Sequence, residues 1–259
     1  SDVIDERGGF SFGPIKAGLD FLHFRGDISV DDLKLVRDGP CDNLTIIVLD
    51  KLGNETGDRL ELVGQLGGIT LGLGLFAEVM GDDEGLDYVS PSLIERFVFE
   101  DGTSLEFTEI VERVLKNAKT TGDDAIYGML NVNTLDGGAG DDYLQGQEGN
   151  DTYIYGRGYG QDVIEDSDFS FKAFAPPQHD TLKFVDDLRW TDFDFLRNGS
   201  GDTLTLQVKG TTEHVILTEY LKEVPFIGYV NLLEDIEFGD GTKWTYLKLL
   251  QHYVDIART

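Results

Sequence analysis

Between Lys119 and Glu165 the sequence keeps a nine-residue period. The block 137–145, GGAGDDYLQ, fits G-G-x-G-x-D-x-U-x at every defined position, with U a large apolar residue. Four looser copies share its phase: KTTGDDAIY (119–127), GMLNVNTLD (128–136), GQEGNDTYI (146–154) and, after a Tyr155-Gly156 spacer, RGYGQDVIE (157–165). Position two holds Gly138 and Gly158, position four Gly122, Gly140, Gly149 and Gly160, and position six Asp124, Asp142, Asp151 and Asp162. The second copy departs, with Asn131 and Asn133 at positions four and six. Position eight is always a buried-type residue: Ile126, Leu135, Leu144, Tyr153, Ile164. A solvated Gly-Asp loop would not hold phase over five copies.

Glycines at these places permit tight turns with positive φ, and such turns aim several backbone carbonyls inward beside one carboxylate. An oxygen cage of that kind suits a hard cation. Calcium accepts six to eight oxygens at loose geometry, magnesium demands a stricter octahedron, and thiolate-preferring metals would need cysteines, of which the chain has one. Calcium is therefore the expected ion. The candidate ligand positions are Gly122, Asp124, Asn131, Asn133, Gly138, Gly140, Asp142, Gly149, Asp151, Gly158, Gly160 and Asp162.

These nonapeptides resemble the RTX (haemolysin-type) calcium-binding repeats of secreted bacterial proteins. The resemblance implies a mainly all-β fold in which each turn precedes a short strand and the chain winds into a right-handed parallel β-roll. It also implies ions between turns two repeats apart. Asp124 would then pair with Asp142, Asp142 with Asp162, and Asn133 with Asp151, making Asp142 the residue that serves two sites. The Asn133 site, short of one charge, should be the weakest.

Residues 2–46 and 162–206 align without a gap: Asp2-Val3-Ile4 returns as Asp162-Val163-Ile164, Asp20-x-Leu22-x-Phe24 as Asp180-x-Leu182-x-Phe184, and Asp42-x-Leu44-Thr45-Ile46 as Asp202-x-Leu204-Thr205-Leu206. Farther on, Phe99-Glu100-Asp101-Gly102-Thr103 matches Phe238-Gly239-Asp240-Gly241-Thr242. The first copy therefore carries an insertion, about 50–92, that includes the GGITLGLGLF run. This duplicated unit is similar to the haemolysin-type calcium-binding related domain, less so in its first copy, where Leu105 stands for Trp244. The expected organisation is a β-rich unit at 1–118, the calcium-binding roll at 119–166 and a homologous β-rich unit at 167–259. The chain is expected to be a piece of a longer tandem array, with further blocks before Ser1 and after Thr259.

LTIIVLD, LTLQVKG and EHVILTEY read as strands, and the Asp-Gly pairs at 101 and 240 as hairpin turns. Helical spacing marks FTEIVERVLKNA (107–118), with Ile110, Val111, Val114 and Leu115 on one face and Thr108 as N-cap, and WTYLKLLQHYV (244–254).

With 49 acidic and 21 basic residues the net charge is −28, so the chain repels itself unless cations neutralise part of it, and nucleic acid is excluded as a partner. A hydrophobic content of 40% still allows a core, so folding should be linked to metal. Cys41, alone, rules out an internal disulfide, and no stretch is long and apolar enough for a transmembrane segment. There is no G-x-S-x-G, H-E-x-x-H or Gly-Lys-Ser signature. His23, His179, His214 and His252 are dispersed, with His23 expected to face solvent. No catalytic residue is assigned, and the protein is not expected to be an enzyme. The expected function is a calcium-binding structural and folding module of a large secreted RTX protein, ordered by calcium after type I export from a Gram-negative bacterium. Its partners are calcium ions and neighbouring RTX units. Two alternatives stand beside it: a calcium-dependent adhesive or carbohydrate-binding module contacting an extracellular glycan or surface receptor through Tyr143, Tyr153, Tyr155 and Tyr159, and the non-catalytic carrier region of a toxin or hydrolase.

Overall fold

The computed structural model describes residues 21–37, 39–40, 43–62, 66, 94, 96–129, 132–147, 149–166, 179–198, 202–221, 223–224, 228–229 and 233–257. The chain divides into two compact units, Ser1–Asn117 and Ala118–Thr259. Cys41, the GGITLGLGLF run and Asn131 lie outside the described residues.

In the first unit the strands are β1 (Phe21–Phe24), β2 (Leu33–Arg37), β3 (Leu44–Leu49), β4 (Glu55–Leu62), β5 (Arg96–Phe99) and β6 (Ser104–Glu106), followed by α1 (Phe107–Ala118). They form two three-stranded sheets, β1-β5-β6 and β2-β3-β4. The β5–β6 turn has the expected form: Gly102 takes φ 88°, and Asp101 Oδ1 accepts the N–H of Thr103 at 2.8 Å. The helix buries Ile110, Val111, Val114 and Leu115, as its apolar spacing requires. Thr108 is not its cap, because the helix already begins at Phe107; Glu109 reaches back to accept the N–H of Glu106 at 2.8 Å, and a carboxylate in a first turn also suits the helix dipole.

The second unit begins with the nonapeptides. Each contributes one short strand: β7 (Ala125–Tyr127), β8 (Thr134–Asp136), β9 (Tyr143–Gln145), β10 (Thr152–Tyr155) and β11 (Gln161–Ile164). There follow β12 (Thr181–Phe184), β13 (Phe193–Asn198), β14 (Thr203–Val208), β15 (His214–Leu217), β16 (Glu223–Val224), β17 (Gly228–Tyr229), β18 (Asp235–Glu237), β19 (Lys243–Thr245) and α2 (Tyr246–Ala257). Among the described residues the protein is mostly strand with two α-helices, an all-β architecture. Trp244 and Thr245 belong to β19, so α2 starts later than its periodicity suggested.

Successive nonapeptide strands alternate between two sheets. The order β13-β14-β15-β11-β9-β7 takes the odd repeats, and β19-β18-β12-β10-β8 takes the even ones. Both sheets are mixed rather than purely parallel: the repeat strands pair in parallel with one another and with β15 or β12, and antiparallel strands complete each sheet. Position-eight side chains fall into two buried rows, Ile126–Leu144–Ile164 and Leu135–Tyr153–Leu182, every one at most 2% exposed. A nine-residue repeat has room for one turn and one strand, and the single residue that must be apolar is the one facing the core.

The duplication read from the sequence is a duplication of structure. Phe21 faces Arg96 as Thr181 faces Asp235, both in parallel pairs, and Leu35 faces Ile46 as Phe195 faces Leu206. A 3-10 turn precedes β2 and β13 alike, with Asp32 or Asp192 accepting the N–H of Ser29 or Arg189 at 2.9 Å. The first-copy insertion already shows in the β3–β4 hairpin, where Leu44 faces Leu62 although Leu204 faces Leu217. His23 points outward between buried Leu22 and Phe24.

Leu105 and Trp244, each 4% exposed, fill equivalent core positions. Trp244 packs on Phe195 (centroids 5.8 Å apart) and His252 (4.9 Å), with the Lys248 ammonium 5.4 Å from its ring. Trp244→Ala is expected to destabilise the second unit by about 3 to 5 kcal/mol, measured by urea denaturation in calcium. A loss well below this would mean that the helix does not rest on that ring.

Candidate metal centre

The turns stack in two columns, one beside each sheet. In the first, the backbone N–H of Asp124 donates to Asp142 Oδ1 at 2.8 Å, and that of Asp142 to Asp162 Oδ1 at 3.2 Å. In the second, Asn133 N–H donates to Asp151 Oδ1 at 2.8 Å and Asp151 N–H to Asp180 Oδ1 at 2.7 Å. Carbonyls answer from the same residues: Asp124 O accepts from Tyr143 N–H, Asp142 O from Val163 N–H, Asn133 O from Thr152 N–H and Asp151 O from Thr181 N–H. Asp142 and Asp151 thus each have the backbone fastened to the next turn of their column, and one carboxylate oxygen fastened to the turn before.

The expected partners Asp124–Asp142, Asp142–Asp162 and Asn133–Asp151 are brought together, but Asp142 is not alone in serving two rungs. Asp151 does the same because Asp180 adds a rung after the last nonapeptide. Asp180-x-Leu182 repeats the D-x-U spacing of Asp142-x-Leu144, a signal visible in the sequence but absorbed there by the flanking duplication. The ends of the columns differ from the middle. Both oxygens of half-buried Asp124 are held by Thr120, through its N–H (2.6 Å) and hydroxyl (2.9 Å), and Asn133 Oδ1 accepts the N–H of Met129.

Beyond these first rungs, Asp142 and Asp162 are 2% and 0% exposed, and the Oδ2 atom of each is buried with no hydrogen-bond partner. Burial pushes the Asp142 carboxyl above the usual carboxylate range, and drives Asp162 to about 8, reinforced by the charges of Asp142 and Asp141. Stacking explains two glycines. Gly140 and Gly160, at φ 140° and 98°, lie so close to the preceding turn that a methyl group would run into the carbonyl oxygen of Gly122 or Gly140. A side chain on Gly137 would likewise strike Asp142 Oδ2. Carboxylate and carbonyl oxygens converging where no Cβ fits form an all-oxygen donor set of the kind calcium takes.

Gly138 is buried and Gly149 half-buried, and exposed Gly158 donates its N–H to Glu213 Oε1 at 3.1 Å. A second row, not anticipated from the pattern, runs along position five: Asp123 Oδ1 accepts Asp141 N–H, and Asp141 Oδ1 accepts Gln161 N–H, both at 2.9 Å. A third buried carboxylate was also missed. Asp166 places an oxygen within 4.8 Å of oxygens of Asp151 and Asp180, all three side chains being buried. Of the tyrosines proposed as a sugar-stacking strip, Tyr153 and Tyr155 are 0% and 1% exposed and belong to the core.

Residues 120–140 and 127–162 match the family model of the RTX calcium-binding nonapeptide repeat (four copies). This stretch is of RTX type, a set of calcium-binding repeats in a class found typically in secreted bacterial proteins. The match lies within the repeats and does not extend to the duplicated flanking units. No curated protein matches the chain.

Gly140→Ala is expected to cost more than Gly158→Ala. Both have positive φ, a strain of about 1 to 3 kcal/mol for a non-glycine residue, but only Gly140 also meets the neighbouring turn, whereas nothing lies within 4 Å of a Cβ on Gly158. Equal losses in urea denaturation would sink the stacking argument. Without metal, stability should fall with rising pH. Asp162 binds its proton more tightly folded than unfolded, so its contribution is complete below the ordinary carboxylate value of 3.8 and is lost as pH climbs through about 8. With calcium the slope should reverse, because ligation needs the deprotonated carboxylate. Circular dichroism at pH 5 and 8.5, with and without chelator, checks both signs.

Proposed function

We propose that this chain is a calcium-dependent structural and folding module of a larger secreted RTX protein, its repeats wound as a right-handed parallel β-roll. The alternation of repeat strands between two sheets supports the roll. The observation that carries the calcium reading is the pair of buried Oδ2 atoms of Asp142 and Asp162, which have no hydrogen-bond partner inside the turn stack. Calcium, when bound, supplies the positive charge that lets such carboxylates stay ionised out of water. The chain does the rest. Asp124 N–H and Asp142 N–H hold one oxygen of the next carboxylate in place, leaving the other directed into the stack. The stacked glycines admit carbonyl oxygens and exclude side chains.

In this reading the module has no catalytic residue and is ordered by its ions. The formal charge of −28 keeps the unloaded repeats expanded where calcium is scarce. Outside the cell, millimolar calcium is comparable with extracellular-site affinities of about 10⁻⁴ to 10⁻³ M. Type I export of an extended chain followed by ordering at the surface fits that difference.

Far-UV circular dichroism of the whole chain during calcium titration, with magnesium as control, tests the proposal. A cooperative gain of β signal at roughly 0.1 to 1 mM calcium, absent with magnesium, is expected. Full β structure in chelator would overturn the folding role.

A further inference from the structure

The second column does not end with the nonapeptides. Asp180 accepts the N–H of Asp151 at 2.7 Å, and its own N–H donates to Glu234 Oε2 at 2.9 Å. The residue next to this rung is Asp166, which directly follows the ninth position of the last repeat and so stands where the same column earlier has Gly128 and Gly146. Those glycines sit against the position-six side chain of their own turn: a methyl on Gly128 would strike Asn133 Oδ1, and one on Gly146 would strike Asp151 Oδ2 and the Tyr153 hydroxyl. At Asp166 the chain has a carboxylate instead. Its Oδ1 accepts the Tyr153 hydroxyl at 2.7 Å, while the same hydroxyl oxygen accepts Gly146 N–H at 2.8 Å. Tyr153 itself takes the inward place of an aliphatic residue, and its phenol is 0% exposed. Phenol and backbone therefore position a carboxylate where the repeat pattern has none.

We propose that Asp151, Asp166 and Asp180 together form a three-carboxylate calcium site that terminates the second column, with Tyr153 as its positioning residue. The inference rests on the calcium reading above and goes beyond it, because two of the three ligands lie outside the repeats. With three buried carboxylates (0–2% exposed, oxygens within 4.8 Å) it carries more negative charge than a rung made of repeat residues alone. It should therefore be the tightest site, and should favour a trivalent lanthanide over calcium most strongly.

The test is equilibrium dialysis of calcium with the full chain and with Asp166→Asn and Asp180→Asn. Asparagine at 166 keeps an acceptor for Tyr153 while removing the charge. The expected result is that the tightest-bound calcium weakens tenfold or more in either variant, with the remaining ions and the calcium-saturated near-UV spectrum unchanged. Unaltered binding of the tightest ion in both variants would overturn the proposal, whereas a wild-type chain that binds no calcium would overturn the calcium reading itself. Should the variants not fold, terbium decides on the wild-type chain and Tyr153→Phe. Tyrosine-sensitised emission from the first bound terbium should fall severalfold on losing the Tyr153 phenol; unchanged emission places the tight site elsewhere and sinks the idea.

Discussion

The turn columns of the second unit depend on burying carboxylates one turn above another. Asp142, Asp151, Asp162 and Asp180 are at most 2% exposed, and each accepts a backbone N–H from the turn before it. A hydrogen bond from an amide favours a carboxylate but does not neutralise it, and burial of several like charges is unfavourable unless a countercharge arrives. The raised affinity of Asp162 for its proton expresses the same imbalance. The geometry that best aligns the turns is therefore also the geometry that most needs a cation.

The flanking unit contributes edges. β12 continues the sheet of β8 and β10, and β15 continues that of β7, β9 and β11, so repeat strands end against partners of matching direction rather than against solvent. Parallel pairing and alternate burial make this junction a continuation of the repeat core: Tyr153 faces Leu182, and Ile164 faces Leu217. The same unit recurs in the first half of the chain, with matching β1–β5 and β2–β3 registers but a shifted β3–β4 pairing, around smaller side chains, Leu105 for Trp244 and Leu35 for Phe195.

The repeats were legible because a nine-residue period ties each position to one environment. Glycines four and residues six and eight could be assigned without knowing the fold, and the duplicated strands followed from alignment within the chain. What escaped was set by proximity rather than period. Asp166 and Asp180 join Asp151 across a segment that breaks the phase, and only the folded chain brings them within 4.8 Å. Tyr153, the inward position-eight residue of its repeat, is buried as that position requires, and alternation along β10 sends Tyr155 inward as well, so neither belongs to a surface strip. Thr108 lost the capping role to Glu109 because the helix already starts at Phe107, ahead of the expected cap. Local side-chain competition of this sort leaves little trace in spacing.

The alternation of strands imposes a parity on the array. One rung joins residues 18 apart, two nonapeptides, and raises its column by a strand spacing of about 4.8 Å. Removing a single nonapeptide would not shorten the stack by half a step; it would transfer every later strand to the opposite sheet and bring Asp180 to the column of Asp142. Length can therefore change only in steps of two repeats, and the five nonapeptides between Lys119 and Glu165 count as an even set only because β12 supplies the sixth strand.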